Sequence, residues 1–328
     1  MNYQQQFTAF IQKGKLEEIQ SFYEHYKVHI DITFEYKCAF RGACENGHLE
    51  LAQWLYQIKP TIDISANNED AFRWACGRGH LELAQWLYQI KPTINISAQD
   101  EYAFRWACGN GQLEVAKWLY KIKPTINISA KYEYAFLASC QNGHLEVAKW
   151  LYEIKPTIDI SAENEEAFRW ACIDGHVDLA KWLYEIKPTI DISAENEEAF
   201  RFACENKYLE VAKWLYKIKP TIDISAENDD AFCYACNNYN LGVAKWLQTI
   251  IPYGLYYTFE LDKKTNEISY SSKNPNYSFL KKRLDTVYPG NEICFREALV
   301  RNRFHPKYMD KWVDWGHEKP EDFELLIN

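Results

Sequence analysis

The sequence predicts an all-α solenoid of helix–turn–helix repeats with short extended fingers, followed by a small C-terminal region holding a hairpin and capping helices. Three observations predict it. A string reading Ala-Phe-Arg-Trp-Ala-Cys, or a close variant, begins at Ala39, Ala71, Ala103, Ala135, Ala167, Ala199 and Ala231, each start 32 residues after the last. Within every period two apolar stripes recur at helical spacing, and glycine and Lys-Pro punctuate them at fixed offsets. A fixed period of roughly 20–50 residues marks a repeat array, and a unit this small cannot bury its own apolar face without stacking on its neighbours.

The unit at residues 67–98 justifies each element. Phe72, Ala75 and Cys76 fall at i, i+3 and i+4, one face of a short helix. Gly79 ends it, as a left-handed residue does at a helix C-terminus, and Gly recurs at 47, 111, 143 and 175, with Lys207 as the departure. Leu83, Trp86, Leu87 and Ile90 then form the stripe of a second helix, opposite Glu82, Gln85 and Gln89. Lys91-Pro92 stops that helix, because proline cannot continue the hydrogen-bond ladder. Thr93-Ile94-Asn95-Ile96-Ser97 alternates apolar and polar and reads as a short extended finger. Asn68, Asp100, Asn164, Asn196 and Asn228 stand where the next first helix needs an N-cap, with acids after them, while Tyr132 breaks that pattern.

The period sets the domain boundaries. Residues 1–38 carry a partial copy, in which Phe7, Gly14-Lys15-Leu16-Glu17 and His29-Ile30-Asp31-Ile32 echo the full units, and read as an N-terminal capping repeat. Seven repeats span 39–252. In the irregular segment 253–290, Tyr256–Leu261 and Ile268–Ser271 flank a polar stretch and read as a hairpin, and Tyr288-Pro289-Gly290 reads as a turn. Residues 291–328 return to the first-helix pattern at Cys294-Phe295-Arg296-Glu297-Ala298-Leu299 and read as degenerate capping helices.

The motifs Ala71-Phe72-Arg73-Trp74-Ala75-Cys76, Gly79-His80-Leu81-Glu82-Leu83-Ala84, Trp86-Leu87-Tyr88 and Thr93-Ile94-Asn95-Ile96 together resemble the ankyrin repeat, over about residues 7–252. The departures are regular: the Thr-Pro helix start and the Gly-Ala finger turn are missing, and the period is one residue short. In those habits the chain is similar to the divergent ankyrin proteins that giant DNA viruses of amoebae encode in large sets. The resemblance implies a protein-binding scaffold whose fingers and first-helix ends line a concave recognition surface.

Composition bounds the rest. With 37 Lys+Arg against 46 Asp+Glu the formal charge is −9, which argues against nonspecific nucleic-acid binding. No run reaches the roughly 18 consecutive apolar residues of a membrane-spanning helix, and the start Met-Asn-Tyr-Gln-Gln-Gln-Phe has no secretory pattern. The expectation is therefore an intracellular, cytoplasmic protein (host cytoplasm if viral), with the nucleus as an alternative compartment.

Ten cysteines invite a zinc or disulfide reading, yet Cys44, Cys76, Cys108, Cys140, Cys172, Cys204 and Cys236 occupy one buried repeat position and read as small core residues. Cys233-x-x-Cys236 has no second pair near it. The Cys-x3-His pairs ending in His48, His80, His144 and His176 become Gln112, Tyr208 and Asn240 elsewhere without other change, so the imidazoles read as partners for backbone groups at the helix turn. His25 and His29 lack a third ligand. No phosphate-binding glycine loop, nucleophile elbow or zinc-protease helix occurs, and no cofactor and no catalytic residue are expected.

Copies that share a template show function where they differ. The fingertips vary, and from residue 163 each carries three acids, including Glu163, Glu165, Glu166, Glu195, Glu197 and Glu198. The first-helix ends vary too, at Arg78, Asn110, Asn142, Asp174 and Asn206. One turn earlier stand Trp74, Trp106 and Trp170, either as aromatic anchors in the groove or as rings packed between adjacent first helices. Arg73, Arg105, Arg169 and Arg201 read as structural partners of fingertip acids or carbonyls. The expected function is non-enzymatic binding of a basic protein partner through these positions. The alternative is an adaptor whose C-terminal segment recruits machinery such as a ubiquitin ligase: Pro289-Gly290-Asn291-Glu292-Ile293 resembles the start of an F-box, although a terminal cap explains the same residues. A third reading places metal or catalytic chemistry at Cys294, His305, Asp310 and His317, which lack motif spacing.

Overall fold

Each repeat is a pair of helices and a finger, with ends where glycine and proline put them. The computed structural model describes residues 6, 9–11, 13–27, 32–224, 226–238, 240–250, 257–261 and 268–272. The architecture is the all-helical repeat solenoid that the period predicts. First helices such as Ala66–Gly77, Ala98–Gly109 and Ala130–Gln141 alternate with second helices such as Leu81–Ile90, Leu113–Ile122 and Leu145–Ile154. The chain divides into two units, Met1–Ala167 and Phe168–Asn328, described separately below.

Glycine closes the first helix for a conformational reason. Gly79 has φ +86°, its N–H reaches the Cys76 carbonyl (3.1 Å), and the His80 N–H reaches that of Ala75 (2.9 Å), which together make a Schellman cap. The second helix ends at Ile90, before Lys91-Pro92. The core is the predicted pair of stripes: Phe72, Ala75, Cys76, Ala84 and Leu87 are fully buried, as are their equivalents in the neighbouring repeats. Burying Phe72 or Leu87 contributes roughly 1.5–3 kcal/mol each.

Aromatic wedges join successive repeats. Within the first unit the Trp118 ring lies 6.1 Å from Phe72 and edge-on to Tyr88 at 6.1 Å, both in the preceding repeat. Trp150 repeats this on Phe104 and Tyr120. In the second unit Trp214 sits on Phe168 and Tyr184, and Trp246 on Phe200 and Tyr216. At the N-terminus the helix Leu16–Tyr26 places Tyr23 edge-on to Trp54 at 5.5 Å.

The fingers differ from the expected extended stretch. Ile94 and Ile96 are buried, but the backbone turns rather than extends, with the Ile94 N–H on the Lys91 carbonyl (3.1 Å) and that of Ala98 on Asn95 (3.0 Å). The N-cap expectation is also corrected. Asn67, Asn68 and Glu69 all adopt left-handed φ (55°, 59° and 65°), and the same triplet recurs at 99–101, 131–133, 163–165 and 195–197. The right-handed helix begins only after it, so Asn68, Asp100, Asn164 and Asn196 do not cap.

Beyond the repeats, β1 (Tyr257–Leu261) and β2 (Ile268–Ser272) pair antiparallel, with Phe259 opposite Tyr270. His29, the turn at 288–290, the segment 291–328 with its F-box-like start, and Cys294, His305, Asp310 and His317 lie outside the described residues.

Candidate partner-binding surface

The finger is held by side chains that the sequence places at fixed offsets. Glu101 is buried, and its Oε1 accepts from the Ser97 hydroxyl (2.5 Å) and from the Asn127 N–H of the next finger (3.4 Å), while the Lys123 ammonium donates to the Ser97 hydroxyl. Glu69, Glu133, Glu165 and Glu197 stand at the same position. Glu69 receives the Asn95 N–H (3.1 Å), Glu133 the Ser129 hydroxyl, Glu165 that of Ser161, and Glu197 that of Ser193 together with the Asp223 N–H (3.2 Å). These bonds replace water at one oxygen of each carboxylate, while Oε2 of Glu69, Glu101, Glu133 and Glu197 is buried without a hydrogen-bond partner among the described residues, as is the Ser65 hydroxyl.

Arginine secures the left-handed turn from its other side. Arg73 Nε donates to the Asn68 carbonyl (2.8 Å) and Nη2 to that of Asn67 (3.1 Å), and Arg105 and Arg201 repeat the pattern at 99–100 and 195–196. Arginines also pair with the first acid of a helix: Arg41 and Arg73 with Asp70, Arg169 with Glu198, and Arg201 with Asp230 (3.1 Å).

These bonds revise the expected set of acids. Glu165 and Glu197 are buried staples between finger and core and cannot meet a partner. Glu198 spends its charge on Arg169. Glu163, Glu195 and Glu227 are exposed, at left-handed tips, and Glu166 is half-buried. The tips of the first unit are otherwise nearly neutral, because Lys131 pairs with Asp100 (2.9 Å) and that contact holds the Asp100 carboxyl below its ordinary range.

The first-helix ends also have internal partners. Asn110, Asn142 and Asn206 are exposed, yet each Nδ2 donates to a carbonyl one repeat earlier: Gly77 (2.8 Å), Gly109 (2.7 Å) and Ile173 (3.0 Å). Arg78 pairs with Glu45 (3.5 Å) and covers the Trp74 ring at 5.5 Å, and Asp174 is half-buried. Of the two readings for the tryptophans, the structure favours packing between first helices for Trp74 and Trp106. Their centroids are 4.9 Å apart, edge to face, and Trp106 lies against Gly77, where a Cβ would come within 2.9 Å of it. Trp170 is half-buried. Tyr102 stacks on Trp106 at 4.8 Å, and burial pushes its phenol upward. Tyr132 and Tyr134 remain 83% and 41% exposed.

Metal chemistry has little to build on in the repeats. Cys44, Cys76, Cys108, Cys140, Cys172 and Cys204 are fully buried free thiols, pushed far above their ordinary range by burial. His80 Nε2 lies 3.0 Å from the Glu45 carbonyl, and burial lowers its pKa. Among the described residues no group of three or more His, Cys, Asp or Glu converges as a metal site, and no helix there is long and apolar enough to cross a membrane.

With this geometry in view, the family model for ankyrin repeats matches residues 40–132, 104–196 and 134–228, together more than half of the chain. The chain belongs to the ankyrin-repeat family. Ankyrin repeats are protein-interaction scaffolds, and this places the chain in that broad class. Among solved structures, the crystal structure of the human ASB11 ankyrin repeat domain is similar at 16% identity and a TM-score of 0.44, covering 58% of this chain and 95% of that one. No curated protein matches.

Proposed function

We propose that this ankyrin-repeat protein is a non-enzymatic scaffold that binds a basic segment of a protein partner with its fingers, on the side that forms the concave face in its family. One observation carries the reading. Glu163, Glu195 and Glu227 are exposed, one per fingertip, and so set a negative charge along the finger tips even where, as at Glu227, the carboxylate also accepts from a neighbouring asparagine. Complementary charge of this kind raises association rate and selects partners more than it adds affinity. The resemblance to viral ankyrin proteins and a cytoplasmic place of action belong to the same reading.

The test is an affinity pull-down from host-cell extract with the full chain beside a Glu163→Lys, Glu195→Lys, Glu227→Lys variant. Loss of specific proteins with the variant supports fingertip recognition. Retrieval of the same proteins by both baits would falsify it.

A further inference from the structure

One repeat departs from its neighbours where stacking does not require it. The finger at 131–134 carries Tyr132 where other repeats have Asn68, Asp100, Asn164 and Asn196, and its first helix carries Leu137 and Ala138 in place of arginine and an aromatic ring. Tyr132 has φ 56°, a region that bulky residues disfavour, and its ring is 83% exposed. Neither backbone nor core accounts for a tyrosine there.

The register between fingers says what stands beside it. The second tip residue of one finger meets the first of the next, 31 positions on: Asp100 meets Lys131 at 2.9 Å and Asn196 meets Glu227 at 2.7 Å. Tyr132 and the exposed Glu163 occupy the same two tip positions, 31 residues apart. An open aromatic face next to a carboxylate is the combination that holds one basic side chain, its charge attracted by both ring and acid. The protein already places cations on finger tyrosines, with the Arg73 guanidinium 4.6 Å from the Tyr102 centroid and that of Arg105 5.1 Å from Tyr134. Lys131 does not compete, because its ammonium is paired with Asp100.

We infer that Tyr132 and Glu163 form the anchor of the recognition surface and take a single Lys or Arg side chain from a basic protein segment. This rests on the reading that the fingers bind a basic partner. The test selects a displayed library of random short peptides on the immobilised full chain, resynthesises the enriched peptides, and measures affinity at physiological ionic strength. Enriched peptides are expected to carry Lys or Arg at a fixed place. Tyr132→Asn, which installs the residue of the neighbouring fingers and is expected not to lower Tm, is expected to weaken binding about fivefold or more, Glu163→Gln by a similar factor, and Tyr132→Phe little, since the ring face remains. If Tyr132→Asn leaves affinity unchanged while Glu195→Lys with Glu227→Lys abolishes it, the anchor is wrong and the wider reading stands. If the enriched peptides are not basic, or none is enriched, both fall.

Discussion

The turn glycines have a second duty besides their left-handed φ. A Cβ on Gly47 would lie 2.4 Å from His80 Nδ1, and one on Gly175 would lie 2.3 Å from the Tyr208 ring, so each glycine is the seat for a side chain of the following repeat. Gly47→Ala therefore meets both a backbone penalty and a blocked seat, and is expected to cost roughly 2 kcal/mol or more in denaturant unfolding. Lys207, at φ 75°, shows the exception: the residue over it is Asn240, whose Nδ2 bonds to the Cys204 (3.2 Å) and Glu205 carbonyls. Lys207→Gly removes the backbone penalty alone and is expected to stabilise the protein by about 1 kcal/mol. Position 80 also predicts a pH effect. Because burial lowers the His80 pKa, the unfolded chain binds its proton first as pH falls. Its contribution is whole above the ordinary imidazole value and declines below it. His80→Gln, the residue already present at Gln112, is expected to flatten the fall in stability between neutral and mildly acidic pH. An unchanged slope would refute this assignment. The spacing of glycine and histidine made their backbone roles legible in the sequence, whereas the seat was not, because it joins residues 33 apart.

At the scale of the element, the left-handed turn shows why local propensity misled. Asn-Asn-Glu, Gln-Asp-Glu and Glu-Asn-Glu read as caps, and each left-handed residue costs roughly 1–2 kcal/mol, so only contacts beyond the tripeptide can hold the turn. Two sets of contacts do so, arginine to the tip carbonyls and the buried glutamate to serine and the next finger. The turn at 131–133 keeps its φ values with Leu137 in place of the arginine, but it retains Glu133 on Ser129. The glutamate is therefore the common requirement. Glu101→Ala is expected to cost roughly 2–3 kcal/mol and Arg105→Leu less, as measured by thermal or denaturant unfolding. The reverse order would show that the carbonyl clamp governs the turn. A signal for the staple was available: Ser and Glu keep their four-residue spacing at 65/69, 97/101, 129/133, 161/165 and 193/197. Glu165 and Glu197 fall within the variable tips although glutamate recurs at their position in five consecutive repeats, from Glu69 to Glu197.

For the whole molecule, the period, helix order and buried stripes were legible because each is repeated and local. The internal bonding of Asn110, Asn142 and Asn206 was not, because it depends on how adjacent copies meet. Stacked repeats gain stability mainly from such junctions. The six buried thiols report on them: none of Cys44, Cys76, Cys108, Cys140, Cys172 and Cys204 is expected to react with a maleimide in the native protein, as mapped by mass spectrometry. Trp118→Ala, which empties a wedge between two repeats, is expected to cost about 3 kcal/mol and to expose Cys76 and Cys108 to labelling before the rest. Uniform labelling of all six would show that the repeats open together.

The seat of glycine also governs how such a gene can change length. A repeat with glycine at the turn accepts the histidine, glutamine or tyrosine of any successor, so unequal recombination among the near-identical copies between residues 39 and 206 yields junctions that still fit. The junction at Lys207 is different: a histidine-bearing copy spliced after it would collide with the lysine side chain, whereas Asn240 bonds to the Cys204 and Glu205 carbonyls instead. Additions or losses of whole copies are therefore expected in the stretch before that junction rather than across it.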